Sequence, residues 1–255
     1  MSKEITVADM VLKAWGAKVS AIPTTKFQEA DWLVELPDCR VLIEEKMKFN
    51  NDATTAARDA VLSTAEVHGT SVGLGRNNRV SAIVRKAAGQ LESTGSRRSH
   101  DLRILWFTGA GDNGQAQQEQ LISTLYGTTT IVEMGHPQLR TCYFFGSSDF
   151  FRYHTKLDGA VAAYFNGPDV AMKLCLNPYS ENWQQLRDSS FAALFKDAII
   201  DPMDEEAAGD SLVVDNDMDR ADETGVLEYI EKKYGLTKVM QMKLGMLTAS
   251  IKIDF

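Results

Sequence analysis

The sequence predicts an α/β fold: a mixed central β-sheet flanked by helices, with a β-rich C-terminal extension. Three observations carry this. A helical apolar pattern precedes a hairpin signature near the start. Helix-period and strand-period segments then alternate up to about residue 135. Beyond that, short apolar runs of strand length dominate. Hydrophobic residues make up 44% of the 255 and charged residues 24%, values of an ordinary globular chain rather than a disordered or fibrous one.

Taken in order, Ile5, Val7, Ala8, Val11, Leu12 and Trp15 recur at helical spacing, and Gly16 suits a helix stop. Asp31–Leu36 and Arg40–Phe49 read as strands joined by Pro37-Asp38-Cys39, a pairing that favours a tight turn. Residues 51–68 are alanine-rich and helical in pattern. So is Asn78–Leu91, with Val80, Ile83, Val84, Ala87, Ala88 and Leu91 on one stripe. Ser93–Ser99 reads as a polar loop, Leu102–Thr108 as a buried strand, Gln115–Leu125 as a helix and Thr129–Met134 as a strand. Strand patterns return at Thr141–Phe145, Gly159–Phe165 and Val170–Leu176, followed by helical ones at Ser180–Arg187 and Phe191–Ile199. Residues 201–223 hold ten acidic residues and one base, Arg220, the composition of a linker or long loop. A short helix at 224–234 and one or two strands over 236–254 finish the chain. The expected organisation is a core over 1–135, a β-rich extension or second lobe over 136–200, an acidic linker or loop over 201–223 and a helix with strands over 224–255.

Several classes are disfavoured. No apolar run reaches the roughly 18 residues of a membrane span, and the first residues lack the pattern of a secretory leader. Cys39, Cys142 and Cys175 are odd in number and widely spaced, which points to reduced thiols and a cytoplasmic setting. The four histidines show no ligand spacing, so zinc is not expected.

The chemistry concentrates around the hairpin. Side chains alternate along a strand, so Glu44 and Lys46 share a face, and the turn at Pro37 can bring Asp31 beside them. Two carboxylates can hold a hard cation such as Mg²⁺, with the backbone carbonyl of Glu45 as a further oxygen ligand. An amine beside them can orient or deprotonate an attacking water and offset charge on phosphorus.

An acid at the head of a strand, a hairpin, and Glu-x-Lys closing an apolar strand together resemble the PD-(D/E)xK nuclease superfamily, which includes many restriction endonucleases. Asp31 matches the lone acid; Glu44, Glu45 and Lys46 match the (D/E)xK element. Ala30 stands where the family often has proline, and Glu4 is a candidate for the extra helical acid of some members. The resemblance covers roughly residues 1–110. It implies a restriction-endonuclease-like core and Mg²⁺-dependent (or Mn²⁺-dependent) phosphodiester hydrolysis. Double-stranded DNA is the favoured substrate, a restriction or phage-defence setting fits, and cutting two strands suggests a homodimer. Asp31, Glu44 and Glu45 would hold metal; Asp31, Glu44 and Lys46 would form the catalytic set.

Arg76, Arg79, Arg85, Lys86, Arg97 and Arg98 lie in a basic stretch that suits phosphate contacts. Two other readings stand beside the nuclease. One is a nucleic-acid-binding or interaction protein without catalysis. The other is a dinucleotide-cofactor enzyme, because Gly109-Ala110-Gly111-Asp112-Asn113-Gly114 matches G-x-G-x-x-G between a strand and a helix, with Glu133 ending the next strand.

Overall fold

The computed structural model describes residues 6–23, 28–50, 52–64, 68–243 and 245–251. The first helix, α1 (Val7–Ala14), leads into an antiparallel meander of β1 (Lys18–Ala21), β2 (Trp32–Glu35) and β3 (Arg40–Lys48). The β2–β3 turn closes through Leu36 N–H to Cys39 O at 2.9 Å. After α2 (Asp52–Leu62), β4 (His68–Gly73) and the long α3 (Asn78–Gly95), the chain enters β5 (Leu102–Gly109), which lies parallel to β3. Then come α4 (Gly114–Tyr126), β6 (Thr129–Glu133), β7 (His136–Tyr143) and the single turn α5 (Asp149–Arg152). β8 (Gly159–Asn166) runs parallel to β5, and β9 (Asp169–Leu176) folds back on it antiparallel. The short helices α6 (Trp183–Asp188) and α7 (Ser190–Ala193) precede β10 (Ile199–Ile200), which pairs parallel with β9. The chain ends with α8 (Pro202–Ala207), β11 (Ser211–Val213), α9 (Glu223–Tyr234), β12 (Val239–Met242) and β13 (Met246–Ile251).

The fold is therefore mixed α/β. A seven-stranded sheet has the order β1-β2-β3-β5-β8-β9-β10; a four-stranded sheet has the order β11-β7-β6-β12; β13 and β4 form a ribbon. Alternation along the central strands feeds two cores. Leu42, Leu105, Phe107 and Ala160 face α3 and α4, against Val80, Val84, Leu91 and Leu121. Ile43, Ile104, Trp106 and Val161 face the opposite side, against Ala8 and Leu12 of α1 and Phe191 of α7. Burial on both faces is what makes β5 and β8 near-continuous apolar runs. Among the described residues no helix is long and apolar enough to cross a membrane.

Three expectations need correction. The boundary at 135/136 does not separate units: it falls between β6 and β7, which pair with each other, and β8 lies beside β5 at the middle of the main sheet. Residues 201–223 are not a linker, and only 214–222 of them form a loop. Asp201 caps α8, accepting from Met203 N at 3.0 Å, with Pro202 in its first turn. Leu212, Val213 and Val214 are buried in the core shared with the second sheet. Finally, α3 runs on through Gly95, because Leu91 and Thr94 continue its buried stripe beyond the point where Ser93 and Thr94 suggest a loop.

The three cysteines are free and buried. Burial pushes the Cys39 thiol up to about 11 and those of Cys142 and Cys175 to about 12, the environment of inert rather than reactive thiols.

Candidate active site

The site is built on the C-terminal half of β3. Glu44 is fully buried and faces the α3 side with Leu42; Lys46, on the same face, forms an ion pair with it. Asp31 stands just outside the regular ladder. Its N–H bonds Ile43 O at 2.9 Å, and its Oδ2 accepts the Glu45 N–H at 2.8 Å, where a strand neighbour's carbonyl would ordinarily sit. The side chain thus substitutes for backbone and fixes the Asp31 carboxyl against β3 at Glu44–Glu45. The hairpin thus seats the Asp31 carboxyl at the Glu45 backbone, next along the strand from Glu44, while Glu44 and Lys46 pair with each other.

Glu45 belongs elsewhere. Its side chain lies on the α1 face, where its carboxylate accepts from Ala8 N at 3.0 Å, Trp32 Nε1 at 3.0 Å and the Thr6 hydroxyl. Thr6 occupies the N-cap position of α1 but makes no side-chain capping bond of its own. Glu45 supplies that cap from β3, a charge-assisted contact at the positive end of the helix. As a metal ligand, then, Glu45 has only its backbone carbonyl to offer. Glu45→Ala is expected to lower stability by on the order of 2–3 kcal/mol, since several donors lose their acceptor. Thermal melts of that variant and of Glu45→Gln would check this, the glutamine variant losing less.

Sequence reasoning missed Lys48, although alternation places it on the Glu44–Lys46 face. Its amine is half-buried and held below the usual lysine range, first by desolvation and then by the charge of Arg79 at the start of α3. Among the described residues neither Lys48 nor Arg79 has a carboxylate at ion-pair distance. Asn77 fixes that end of α3, its side chain accepting from Arg79 N at 2.9 Å and Val80 N at 3.3 Å. Lys46, Lys48 and Arg79 therefore form a cationic rim above a buried carboxylate.

The expected basic stretch does not form one surface. Arg79 and Lys86 are exposed on one flank of α3. Gln90, on that flank, donates to Glu29 O at 3.2 Å, so the flank runs along the segment that leads into Asp31. Arg76 and Arg85 turn to the flank facing α5. Arg97 lies beyond the helix beside Glu29, 3.4 Å away, and Arg98 is half-buried there, its carbonyl 2.9 Å from His100 Nδ1. Seven positions apart on a helix means nearly the same face; six means about 120° away.

Comparison with protein-family models, with curated proteins and with solved structures gives no match. The chemistry of the site therefore rests on its own geometry.

The glycine fingerprint has a packing role. A Cβ on Gly109 would stand 2.5 Å from Gly114 O, and one on Gly111, whose φ is +80°, would stand 2.9 Å from Asn50 Nδ2. Asn50 lies over the turn and accepts from Gln117 Nε2 at 3.3 Å, while Asp112 pairs with Arg58 of α2. The glycines let the start of α4 press against the end of β5, and the side chains above the turn already have partners. Glu4, the candidate helical acid, lies outside the described residues.

Proposed function

We propose that this protein hydrolyses phosphodiester bonds in a metal-dependent way, with DNA as its substrate. The observation that carries the reading is the Glu44–Lys46 ion pair on β3, with the Asp31 carboxyl bonded to the next backbone N–H and Lys48, near Arg79, on the same strand face. The surrounding order supports it: a helix before the meander, then a helix and a strand parallel to β3, as the PD-(D/E)xK resemblance implies for a restriction-endonuclease-like core.

The donor set fits Mg²⁺ or Mn²⁺. Asp31 and Glu44 offer hard carboxylate oxygens and Glu45 a carbonyl, and Mg²⁺ keeps several waters rather than filling its shell with protein. When bound, the cation supplies Lewis-acid polarisation of a phosphoryl oxygen and a more acidic water. The chain supplies the rest. Lys46, held by Glu44 and partly open to solvent, donates to the attacking water and positions it. Lys48 and Arg79 offset charge on the phosphate oxygens. Arg79 and Lys86 seat the adjoining backbone.

Nucleic-acid binding without cleavage is the second reading, favoured by the complete burial of Glu44 and its direct ion pair with Lys46. A plasmid-nicking assay with and without Mg²⁺, alongside Lys46→Ala, separates the two. Nicking that requires the cation and falls by roughly 10²–10⁴-fold in the variant supports the nuclease. Equal binding by both proteins with no nicking by either supports the second reading.

A further inference from the structure

Away from that site, on the other flank of α3, three arginines from two parts of the chain line one cleft of about 390 Å³: Arg76 and Arg85 beside α3, and Arg152 at the end of α5. Asn78, Ser81 and Tyr153 add polar groups to its wall. The organising group is Asp149, fully buried, whose Oδ1 lies 3.2 Å from Arg76 Nη2 and 3.8 Å from Arg152 Nη1. Arg76 is further fixed by Ser147 O at 3.2 Å, Asn78 Oδ1 at 2.9 Å and Ser81 Oγ at 3.1 Å. The turn carrying Arg152 is pinned in turn, because Ser148 Oγ accepts from Phe151 N at 3.1 Å and bonds Leu125 O at 2.6 Å. Arg85 is exposed and, among the described residues, has no carboxylate at ion-pair distance.

The charges do not balance. Three guanidinium groups converge and one carboxylate answers them, which leaves an excess of two positive charges around a polar cleft. Like charges repel unless an anion sits between them, and a guanidinium fork matches the oxygens of a phosphate bidentately. A structural ion pair needs one arginine for Asp149; it does not explain Arg85 or the open volume between the three.

We propose that this cleft is a binding site for a phosphate dianion, that is, a phosphomonoester group, on a small phosphorylated molecule or at a nucleic-acid terminus. The excess of two positive charges suits a dianion better than the single charge of a backbone diester. Arg76 is the fixed donor, already oriented by four contacts. Arg85 and Arg152 close on the ligand from either side, and the Ser81 and Tyr153 hydroxyls complete the shell. The site does not depend on the nuclease reading, because Asp31, Glu44 and Lys46 take no part in it.

The probe is inorganic phosphate, titrated calorimetrically into the full chain at low ionic strength without divalent cation. Saturable one-to-one binding is expected, weakened about tenfold or more by Arg85→Ala or by Arg152→Ala and lost in the double variant. Lys18→Ala, exposed on the edge strand β1 and paired with Glu35, should bind as the wild type does. Binding should strengthen as pH rises through the second ionisation of phosphate, near pH 6–7. Competition then identifies the source: a nucleoside monophosphate and a 5′-phosphorylated oligonucleotide should both displace phosphate if the group alone is read, and only one of them if its surroundings are read too. No saturable binding up to about 10 mM, unchanged affinity in the double variant, or equal displacement by a 5′-hydroxyl oligonucleotide would each overturn the proposal. Circular dichroism of the variants guards against unfolding, and their Mg²⁺-dependent nicking, read in parallel, keeps failure here distinct from failure of the nuclease reading.

Discussion

Glu44→Gln is expected to abolish Mg²⁺-dependent cleavage while leaving the chain folded. Glutamine matches glutamate in size, and its amide oxygen can still accept from Lys46. Removing one partner of a buried pair leaves the other charge uncompensated, at about 3–5 kcal/mol in a dry interior, but Lys46 is partly open to solvent and can turn outward. The stability loss should therefore be smaller than that, about 1–3 kcal/mol, or a melting shift of roughly 2–12 °C for a chain of this size. The chemistry responds differently: an amide is a poor ligand for a hard cation, and the charge that holds Lys46 in register is gone. A loss of at least about 10²–10³-fold in nicking rate is expected. Lys46→Met should lose cleavage in parallel, but at a larger cost in stability, because the fully buried Glu44 then loses the charge paired with it. If the glutamine variant instead fails to fold and the wild type shows no cleavage, the pair is a structural device and the site reading fails.

The hairpin that carries this site was legible because its signals are local. Pro37-Asp38 sets the turn and the apolar alternation of Val41, Leu42 and Ile43 sets the strand; both act within a few residues. Local signals also carried α1, α3, α4 and β5. What escaped was non-local. β1 is a short edge strand of small and polar residues, Lys18-Val19-Ser20-Ala21, and shows no alternation to read. β4 is glycine- and serine-containing, and becomes a strand only by pairing with β13, some 175 residues later. In 201–223 the acidic average concealed Leu212-Val213-Val214, three apolar residues that pack beside Tyr143. Charge averaged over a long window cannot report so short a strand, nor the capping role of Asp201.

The side-chain assignments divide in the same way. Alternation sufficed for Glu44 and Lys46, and would have found Lys48 and set Glu45 on the opposite face. Helical periodicity separates Arg79 and Lys86 from Arg85. By contrast, Asp149 meets Arg76 across 73 positions, and Asp31 engages Glu45 through a side chain standing in for backbone. No sequence period encodes either contact. Asp158 is a further case: fully buried between β5 and the turn before α6, it accepts from Arg103 N at 2.7 Å, Ser180 Oγ at 2.5 Å and Asn182 Nδ2 at 3.2 Å. It ties the N-terminal end of β5 to a turn that the sequence leaves unconnected to it.

Gly109→Ala should produce the largest loss of stability among the fingerprint glycines, and for a reason unrelated to ligands. The added methyl would meet Gly114 O at 2.5 Å and Gln117 Cβ at 3.1 Å. The first of these is backbone in the opening turn of α4 and cannot rotate away, so helix and strand must separate. Overpacking of this kind costs about 1–3 kcal/mol or more, which corresponds to a melting shift of roughly 2–12 °C. At Gly111 the obstacle is softer. The Asn50 amide can swing aside, and the penalty is mainly that of a left-handed φ in a residue with a side chain, about 1–2 kcal/mol. The order Gly109→Ala more damaging than Gly111→Ala follows from packing alone. A dinucleotide-binding turn predicts something else: protection by ligand, since a molecule bound to the native state at a hundred times its dissociation constant adds about 2.7 kcal/mol. Thermal melts with NAD⁺ or NADP⁺ at millimolar concentration should therefore show no shift for the wild-type chain. A clear rise that Gly111→Ala removes would restore the cofactor reading of this loop and assign Asn50 and Asp112 a role in admitting the ligand.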